Sequence, residues 1–266
     1  LGDGTTIQRR SPVTVPGVTS VTQIAMGPIH TCVLIVSGTV KCWGYNIDGE
    51  LGNGTGLNSL VPVDVSGLDH VVQIVAGSNH TCAVLADGTV KCWGSNSSGQ
   101  LGNGSVLNSL VPASVSISGV SRIASGRFHV CALMAIGAPR CWGNNSYGQL
   151  GDGFITTRKY PVAVWNLGAA VRIAGGDLHS CAVVPAGDVK CWGSNVKGQL
   201  GDGTFITDTD RPPVTTLFPG GPTPPSFTAG PPMWTRSSTA TLSFTATADK
   251  VFKCSIDFAP IKVCKS

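Results

Sequence analysis

Short runs of apolar residues, many alternating with polar ones, recur along the first 217 residues and are separated by turns rich in Gly, Asn and Asp. In the second group the runs are Val61–Val65 (VPVDV), Val71–Ala76 (VVQIVA), Thr81–Leu85 (TCAVL) and Thr89–Trp93 (TVKCW). Short apolar runs bounded by turn residues predict β-strands. No helical period of 3.6 continues beyond one turn. The pattern therefore predicts an all-β chain built from groups of four short strands.

These groups repeat with a period of about fifty residues. The phrase Leu-Gly-(Asn/Asp)-Gly begins at steps of 50, 50, 49 and 50, at Leu1, Leu51, Leu101, Leu150 and Leu200. A Cys-Trp-Gly triplet follows the same period, beginning at Cys42, Cys92, Cys141 and Cys191. Periods of this length indicate propellers, solenoids or arrays. Four antiparallel strands per unit favour propeller blades, with the Cys-Trp-Gly strand as the last of each unit.

Residues 76–104, AGSNHTCAVLADGTVKCWGSNSSGQLGNG, and their three sister copies resemble the regulator of chromosome condensation repeat family, in its bacterial secreted form. The resemblance covers roughly residues 1–217 and implies a β-propeller. Members of that family typically have seven blades. The four full periods and one partial period here imply about four blades, either an arc of a larger ring or a permuted small ring.

The ten cysteines form five pairs, each separated by ten residues: Cys32 and Cys42, Cys82 and Cys92, Cys131 and Cys141, Cys181 and Cys191, Cys254 and Cys264. An even count at fixed spacing predicts disulfides, which persist in oxidising compartments. We therefore expect an extracellular or cell-surface protein. No signal peptide is visible and the chain begins at Leu1, so we expect a piece of a longer secreted protein.

The ten-residue spacing fits a β-hairpin. If Ala86-Asp87-Gly88 is a three-residue loop with Gly88 in the left-handed region, Val84 pairs with Val90 and Cys82 with Cys92. The cysteines then occupy a non-hydrogen-bonded site with an expected Cα separation of about 4.5–5.5 Å, within reach of a disulfide. Each ring would stabilise the fold by about 2–3 kcal/mol. The same glycine recurs at Gly38, Gly88, Gly137 and Gly187.

One copy departs from this pattern, because Pro139 stands where the second copy has Val90. Proline donates no hydrogen bond, so we expect the strand to be locally weaker or exposed there.

A histidine precedes the first cysteine of each pair by two residues, at His30, His80, His129 and His179. His-x-Cys could supply two metal ligands, but the C-x2–4-C spacing of zinc sites is missing. We expect one structural imidazole per blade, hydrogen-bonded into the turn before its strand. No metal, cofactor or Cys-x-x-Cys redox motif is predicted.

Two other recurring residues have competing explanations. The Trp of each Cys-Trp-Gly triplet could stack on a ligand, but its strict recurrence favours packing between blades. The Asn of the following turn could contact a partner, but turn formation is the simpler role. These residues are Asn46, Asn96, Asn145 and Asn195.

The composition changes after Thr216. Residues 218–225 (FPGGPTPP) form a Pro/Gly linker that cannot join a sheet. Residues 226–266 contain alternating strand patterns and a Phe-x-Cys-Ser-x-Asp phrase, and they resemble part of a bacterial immunoglobulin-like module. A whole sandwich needs about 100 residues, so this module is partial. The predicted domains are therefore 1–217, the linker 218–225, and 226–266.

Residues that vary between copies are candidates for recognition. The stretches after Leu-Gly-(Asn/Asp)-Gly differ most and should share one face of the propeller, and the Trp-Gly-x-Asn turns vary next. Ordinary solvated loops are the plainer interpretation, whereas Arg and Tyr are enriched in binding hot spots. The candidate binding residues are Arg9, Arg10, Arg158, Lys159, Tyr160, Tyr45 and Tyr147.

The formal charge of +4 includes no polybasic run, which argues against nucleic acid, and no stretch approaches the length of a membrane span. No nucleophile, phosphate loop or paired carboxylates stand out, so no catalytic residue is predicted. The prediction is a non-enzymatic extracellular module that presents its loops to a protein or glycan. Resemblance to secreted propeller inhibitors of β-lactamase favours a protein.

Two alternatives stay open. An adhesin-like surface scaffold would explain the immunoglobulin-like tail. A guanine nucleotide exchange activity is implied by the family's intracellular eukaryotic member, which acts on a small GTPase at chromatin. Paired cysteines in every blade argue against such a reducing compartment.

Overall fold

The structure is a computed structural model that describes residues 1–205 and 212–216, together with two short strands at 253–254 and 262–263. The chain divides into two units, Leu1–Leu217 and Phe218–Ser266. No helix long and apolar enough to cross a membrane occurs in these described ranges.

Sixteen strands build the described part of the first unit. In chain order they are β1 (Val21–Met26), β2 (His30–Ile35), β3 (Val40–Gly44), β4 (Ser59–Asp64), β5 (Val71–Ala76), β6 (His80–Leu85), β7 (Val90–Gly94), β8 (Ser109–Ser114), β9 (Val120–Ser125), β10 (His129–Met134), β11 (Pro139–Gly143), β12 (Arg158–Ala163), β13 (Arg172–Gly175), β14 (His179–Val183), β15 (Val189–Gly193) and β16 (Val214–Thr215). In the second unit β17 (Lys253–Cys254) pairs antiparallel with β18 (Lys262–Val263). Cys254 belongs to β17, but Cys264 and most of residues 226–266 lie outside the described residues, so the fifth disulfide and the immunoglobulin-like module stay predictions.

The all-β prediction with four-stranded antiparallel units is confirmed. Four sheets have the orders β1-β2-β3-β4, β5-β6-β7-β8, β9-β10-β11-β12 and β13-β14-β15-β16. The grouping of strands was wrong by one position, because the run at residues 59–64 closes the first sheet instead of opening the second. It pairs with β3, where Cys42 lies opposite Val63. The Cys-Trp-Gly strand is therefore the third strand of its blade and not the last.

The first strand of each blade is the innermost. Contacts between neighbouring blades join β1 to β5, β5 to β9 and β9 to β13. The fourth strands have mostly exposed or half-buried side chains and form the outer rim. The turns between first and second strands consequently gather around a common axis.

The predicted hairpin register is confirmed. Val84 pairs with Val90 and Cys82 with Cys92, and the loop glycine Gly88 has φ +77°. Four disulfides link β2 to β3, β6 to β7, β10 to β11 and β14 to β15, each with a Cα separation of 4.1 Å, slightly below the expected range. Each bond therefore joins two adjacent strands of one blade.

The disulfides of the first three blades are buried between blades. We call the side of a blade that faces the next blade its trailing face and the opposite side its leading face. The Cys32–Cys42 bond on the trailing face of the first blade packs against Ile74 and Trp93 on the leading face of the second. The next two junctions repeat this arrangement. The hydrophobic core thus consists of layers between blades, each built from two neighbouring sheets.

The tryptophans pack between neighbouring blades, as predicted. The indole Nε1–H of Trp93 donates to the carbonyl of Glu50 in the preceding blade at 2.9 Å. Trp142 and Trp192 make the same bond at the next two junctions. Gly52 approaches the indole so closely that a Cβ there would lie 2.8 Å from the Trp93 Nε1. A side chain at position 52 would therefore push two blades apart.

The histidines also link blades, which corrects the expected bond into the preceding turn. His30 Nε2 lies 2.9 Å from the hydroxyl of Thr81 in the next blade. That hydroxyl donates its own proton to the Glu50 carbonyl at 3.1 Å, so it accepts from the imidazole. The partner could not be foreseen because it lies one whole repeat further along the chain.

The third blade has Val130 where the second has Thr81, so the usual hydroxyl is missing. Ser125, which replaces Ala76 of the second blade, supplies it from the first strand, with its Oγ 3.0 Å from His80 Nε2. At the last junction the usual position is restored, and His129 lies 2.9 Å from Ser180. A hydroxyl is thus present at each of the three described junctions, while its position in the chain differs.

Pro139 is buried and opens β11, which corrects the expectation of an exposed strand. It lies opposite Leu133 in the register that Val90 occupies in the second blade. The expected weakening is seen in the hydrogen bond that the Pro139 carbonyl accepts. The Val164 amide donates to it at 3.3 Å, whereas the Val115 amide donates to the Val90 carbonyl of the second blade at 2.9 Å. A first position in a strand is where proline costs least.

Ser125→Ala should destabilise the protein by about 1–3 kcal/mol, because it leaves the buried imidazole N–H of His80 without a hydrogen-bond acceptor. Adding Val130→Thr should recover most of that loss by restoring the hydroxyl position of the other junctions. Urea unfolding of the single and double variants measures both effects, with Ser97→Ala as the exposed-serine control. A double variant no more stable than Ser125→Ala would contradict the account.

Acid should destabilise the layers. Burial lowers the pKa of His30 to about 4, of His80 to about 3 and of His129 to about 4, from an ordinary value of 6.5. As pH falls below 6.5 the unfolded chain takes up protons that the folded chain does not, so stability is full above that pH and is lost toward pH 4. The loss should be on the order of 3 kcal/mol for each imidazole.

Urea midpoints between neutral pH and pH 4 test this. His129→Gln should flatten the profile, whereas His70→Gln should leave it unchanged because the His70 side chain is 79% exposed. Equal flattening by both variants would show that the buried imidazoles are not responsible.

Candidate functional site: the loop face

One end of the blades gathers two sets of connections. Strand pairing places the turn after the first strand and the loop after the third strand at the same end of each blade. Backbone bonds join them, for example from the Tyr45 amide to the Ile29 carbonyl at 2.9 Å and from Ser95 to Asn79 at 2.7 Å. We call this surface the loop face. Its axial turns are 27–29, 77–79, 126–128 and 176–178, and its outer loops are 45–58, 95–108, 144–157 and 194–205.

Each outer loop is organised around its buried asparagine, as predicted. In the third blade Asn145 Oδ1 accepts the Leu150 amide at 2.9 Å. Its Nδ2 donates to Asp152 Oδ1 at 2.9 Å and to the Phe154 carbonyl at 2.8 Å. Because one amide side chain satisfies several backbone groups, the residues at the loop tip are free to vary without loss of the loop conformation.

Two of the predicted binding arginines form ion pairs with aspartates in their own segments of the chain. Arg158 forms an ion pair with Asp152 at 2.7 Å, and its guanidinium lies 5.2 Å from the centre of the Phe154 ring. Arg9 pairs with Asp3 at 2.8 Å. Hydrogen bonds from Thr5 and Arg9 lower the pKa of Asp3 to about 2. The sequence could have suggested these pairs, since each arginine follows its aspartate by six residues.

The other predicted residues are spread over the face and the rim. Lys159 and Tyr160 lie in β12, the outermost strand, and not in a loop, and the exposed Tyr160 ring lies over Gly104 of the preceding blade. Arg10 is exposed in the irregular segment before β1. Tyr147 is exposed on an outer loop, and Tyr45 is half-buried beside an axial turn. The candidate residues therefore do not converge on one spot.

An axial cavity was missed. It has a volume of about 530 Å³ and is lined by the first-strand turns of all four blades. Glycines form its walls, and one variable residue per blade lies at its mouth, namely Pro28, Ser78, Arg127 and Asp177. The sequence did contain a sign of this cavity, namely a variable position inside an otherwise regular Gly-x-x-His turn. The cavity was not predicted because these turns meet only when the first strand of each blade lies nearest the axis, and the sequence does not show which strand does so.

A row of exposed apolar side chains was also missed. They occupy the tips of the outer loops directly after the Leu-Gly-(Asn/Asp)-Gly phrase of successive blades. They are Leu57 (74% exposed), Leu107 (75%), Phe154 (58%), Ile155 (53%) and Phe205 (74%). Large exposed apolar side chains that recur at equivalent loop positions are candidates for an interaction surface.

The ionisable groups of the face are few. Among the described residues there is no cluster of three His, Cys, Asp or Glu side chains that could hold a metal. Glu50, which replaces the glutamine of the other copies, is buried and its pKa is raised by burial. Its oxygens accept the Asn79 side-chain amide and the Asp48 backbone amide. At the axial cavity the face also presents the exposed Arg127 and Asp177, whose side chains lie 3.9 Å apart.

Sheets of four antiparallel strands stacked around an axis define blades of a β-propeller. The family model of the RCC1-like domain matches residues 1–241, and the chain belongs to this family. No curated protein is similar enough to count as a relative.

Solved structures agree with that assignment. Yeast RCC1 (Prp20), in its complex with Kap60, matches with a TM-score of 0.72 and 26% identity over 81% of this chain and 53% of its own. Prp20p from Saccharomyces cerevisiae gives 0.71 and 26% over 81% and 55%. Human WBSCR16 gives 0.66 and 27% over 76% and 54%. The chain spans about half the length of these proteins.

Asn145→Asp should disorder the outer loop of the third blade. The carboxylate keeps the acceptor for Leu150 but loses both donors and repels Asp152, so stability should fall by about 2 kcal/mol or more. Thermal unfolding and hydrogen exchange of residues 150–157 measure the effect. Ser146→Ala, an exposed neighbour, is the control. An unchanged loop in Asn145→Asp would mean that the loop does not depend on this amide.

Proposed function

We propose that the chain is a non-enzymatic extracellular binding module whose loop face contacts a protein partner. The observation that carries this is the row of exposed apolar side chains at Leu57, Leu107, Phe154, Ile155 and Phe205. Their loops are fixed internally, so the side chains are presented at little entropic cost on binding.

An apolar surface favours a protein over a glycan. The cores of protein interfaces are poor in charged residues, rich in aromatic residues such as Phe, and surrounded by a polar rim. Here the apolar tips surround the axial cavity, whose mouth carries Arg127 stacked on Phe128 at 5.1 Å from the ring centre. A partner could therefore contact the tips with a broad surface and place one segment at the axis.

The similar structures give general support for a protein partner. Yeast RCC1 (Prp20) was solved bound to Kap60, and Prp20p was studied for its binding to Gsp1p and histones. Those partners are not carried over, because this chain spans about half of those proteins. We do not propose a nucleotide exchange activity, because the family's exchange factor acts inside the cell. The four disulfides here are compatible with an oxidising, extracellular location.

The test is capture of proteins by the oxidised chain, from the extracellular fluid of its source, with and without changes at the apolar tips. Phe154→Ser with Ile155→Ser should lower the amount of any captured partner by tenfold or more, since hot-spot truncations cost about 2 kcal/mol or more. Ile136→Ser is the matched control. Ile136 is 86% exposed but lies in a turn at the opposite end of the blade.

Equal loss in the control variant would indicate general stickiness and would overturn the assignment to the loop face. Binding to a glycan array but to no protein would replace the protein partner by a carbohydrate. Acceleration of nucleotide release from a small GTPase would reverse the exclusion of exchange activity.

A further inference from the structure

Glutamine side chains join the first strands of neighbouring blades. The Gln23 side chain of the first blade accepts the Ile74 amide at 2.9 Å and donates to the Ile74 carbonyl at 2.9 Å. Gln73 makes the same two bonds with Ile123 in the third blade. We call this pair of bonds the carboxamide clamp. One flat side chain thereby satisfies both backbone groups on the axial edge of the next first strand.

The junction between the third and fourth blades lacks this clamp. Arg122 occupies the equivalent position, opposite Leu133, as Gln73 lies opposite Val84. A guanidinium has five donors and no acceptor, so it cannot accept the amide proton of Ile173 in the fourth blade. The acceptor that the other two described junctions provide is therefore missing here.

Ile173 nevertheless has the orientation that the clamp needs. It lies opposite Ala182 as Ile74 lies opposite Ala83, so its N–H and C=O also lie on the axial edge. Its side chain is half-buried, whereas Ile74 and Ile123 are 0% and 3% exposed. Both first strands of this junction, β9 and β13, lie within the described ranges, so the opening belongs to the junction itself.

Positive charge accompanies this opening. Arg122 is exposed and forms no ion pair with any of the described residues. Arg172, at the equivalent position of the fourth blade, directly precedes Ile173 and donates to the carbonyl of the residue before it at 3.3 Å. The acidic Asp177 further along this blade lies 3.9 Å from Arg127. A free guanidinium and a backbone N–H without an acceptor thus meet at one place.

We propose that the axial edge of the third junction binds a carboxylate. One carboxylate oxygen accepts the Ile173 amide, as the Gln73 side-chain oxygen accepts the Ile123 amide, and the other accepts from the Arg122 guanidinium. A carboxylate is flat and nearly the same size as the carboxamide that fills this place at the other junctions. Its charge matches the arginine, and charge-assisted hydrogen bonds of this kind are stronger than neutral ones.

The carboxylate has two possible sources. Arg122 precedes Ser125, which lines the axial cavity, by three residues, so the site lies about 10 Å further along the strand. A small free acid could reach it along the axis. An aspartate or glutamate side chain of a protein partner could also reach it through the cavity, and this second source alone rests on the proposed function of the loop face.

Hydrogen exchange of the oxidised chain, followed by NMR, tests the missing clamp. The Ile173 amide should exchange about tenfold faster or more than the Ile74 and Ile123 amides, because it has no acceptor. Arg122→Gln should restore the clamp and slow Ile173 to the rate of Ile123. Arg140→Gln, which removes the same charge at an exposed position of β11, should leave the Ile173 rate unchanged.

Titration with sodium acetate at constant ionic strength tests the ligand. Acetate should shift the Ile173 amide signal and slow its exchange in the wild type and in Arg140→Gln, but not in Arg122→Gln. A blocked peptide with one glutamate, compared with its glutamine counterpart, distinguishes the sources. Tenfold tighter binding of the glutamate peptide than of acetate would identify a partner's side chain, and equal affinity would identify a small free acid.

An Ile173 amide that exchanges as slowly as Ile123 in the wild type would overturn the proposal. A response to acetate that persists in Arg122→Gln would do so as well, and so would a response to phosphate with none to acetate. None of these outcomes bears on the loop face, whose own test changes side chains at the tips of the outer loops.

Discussion

The stability of this protein depends on one layer that is repeated between blades. No single sheet can bury its own disulfide, because the two sulfurs project from one face and need apolar cover. The next blade supplies that cover with Ile74 and Trp93, and hydrogen bonds from the imidazole and the indole fix the spacing. Charged side chains are only 12% of the residues and add little to such a fold. Packing between blades therefore sets both the architecture and its limits.

Because the layers between blades stabilise the fold, the amino-acid sequence of the loop face can vary. The residues that recur in every copy, such as Asn145 and Trp142, satisfy buried backbone groups. The residues that differ, such as Phe154 and Arg127, project exposed side chains from this face. Exposed apolar side chains in that position are costly in water unless something covers them. Their presence on successive blades is the reason to look for a partner on this face.

Much of the local structure could be predicted from the sequence. Ten residues between cysteines, with Gly88 in the turn, determine the register of Cys82 and Cys92, because a hairpin is a short-range structure. What could not be predicted depends on contacts about fifty residues apart. The fourth strand was assigned to the wrong sheet because alternation does not reveal which neighbour an edge strand joins. The move of a hydroxyl from position 130 to Ser125 becomes meaningful only once His80 is seen across the junction.

The most direct test of this account is the rate at which each disulfide is reduced in the native protein, followed by mass spectrometry of peptides from samples trapped at successive times. Within-blade pairs should be found throughout. The Cys181–Cys191 bond, in which Cys181 is only half-buried, should be reduced first, and the bonds of the first three blades should resist until the protein unfolds. Sulfurs linked between blades, or four bonds reduced at one rate without unfolding, would show that the layers between blades do not hold this structure together.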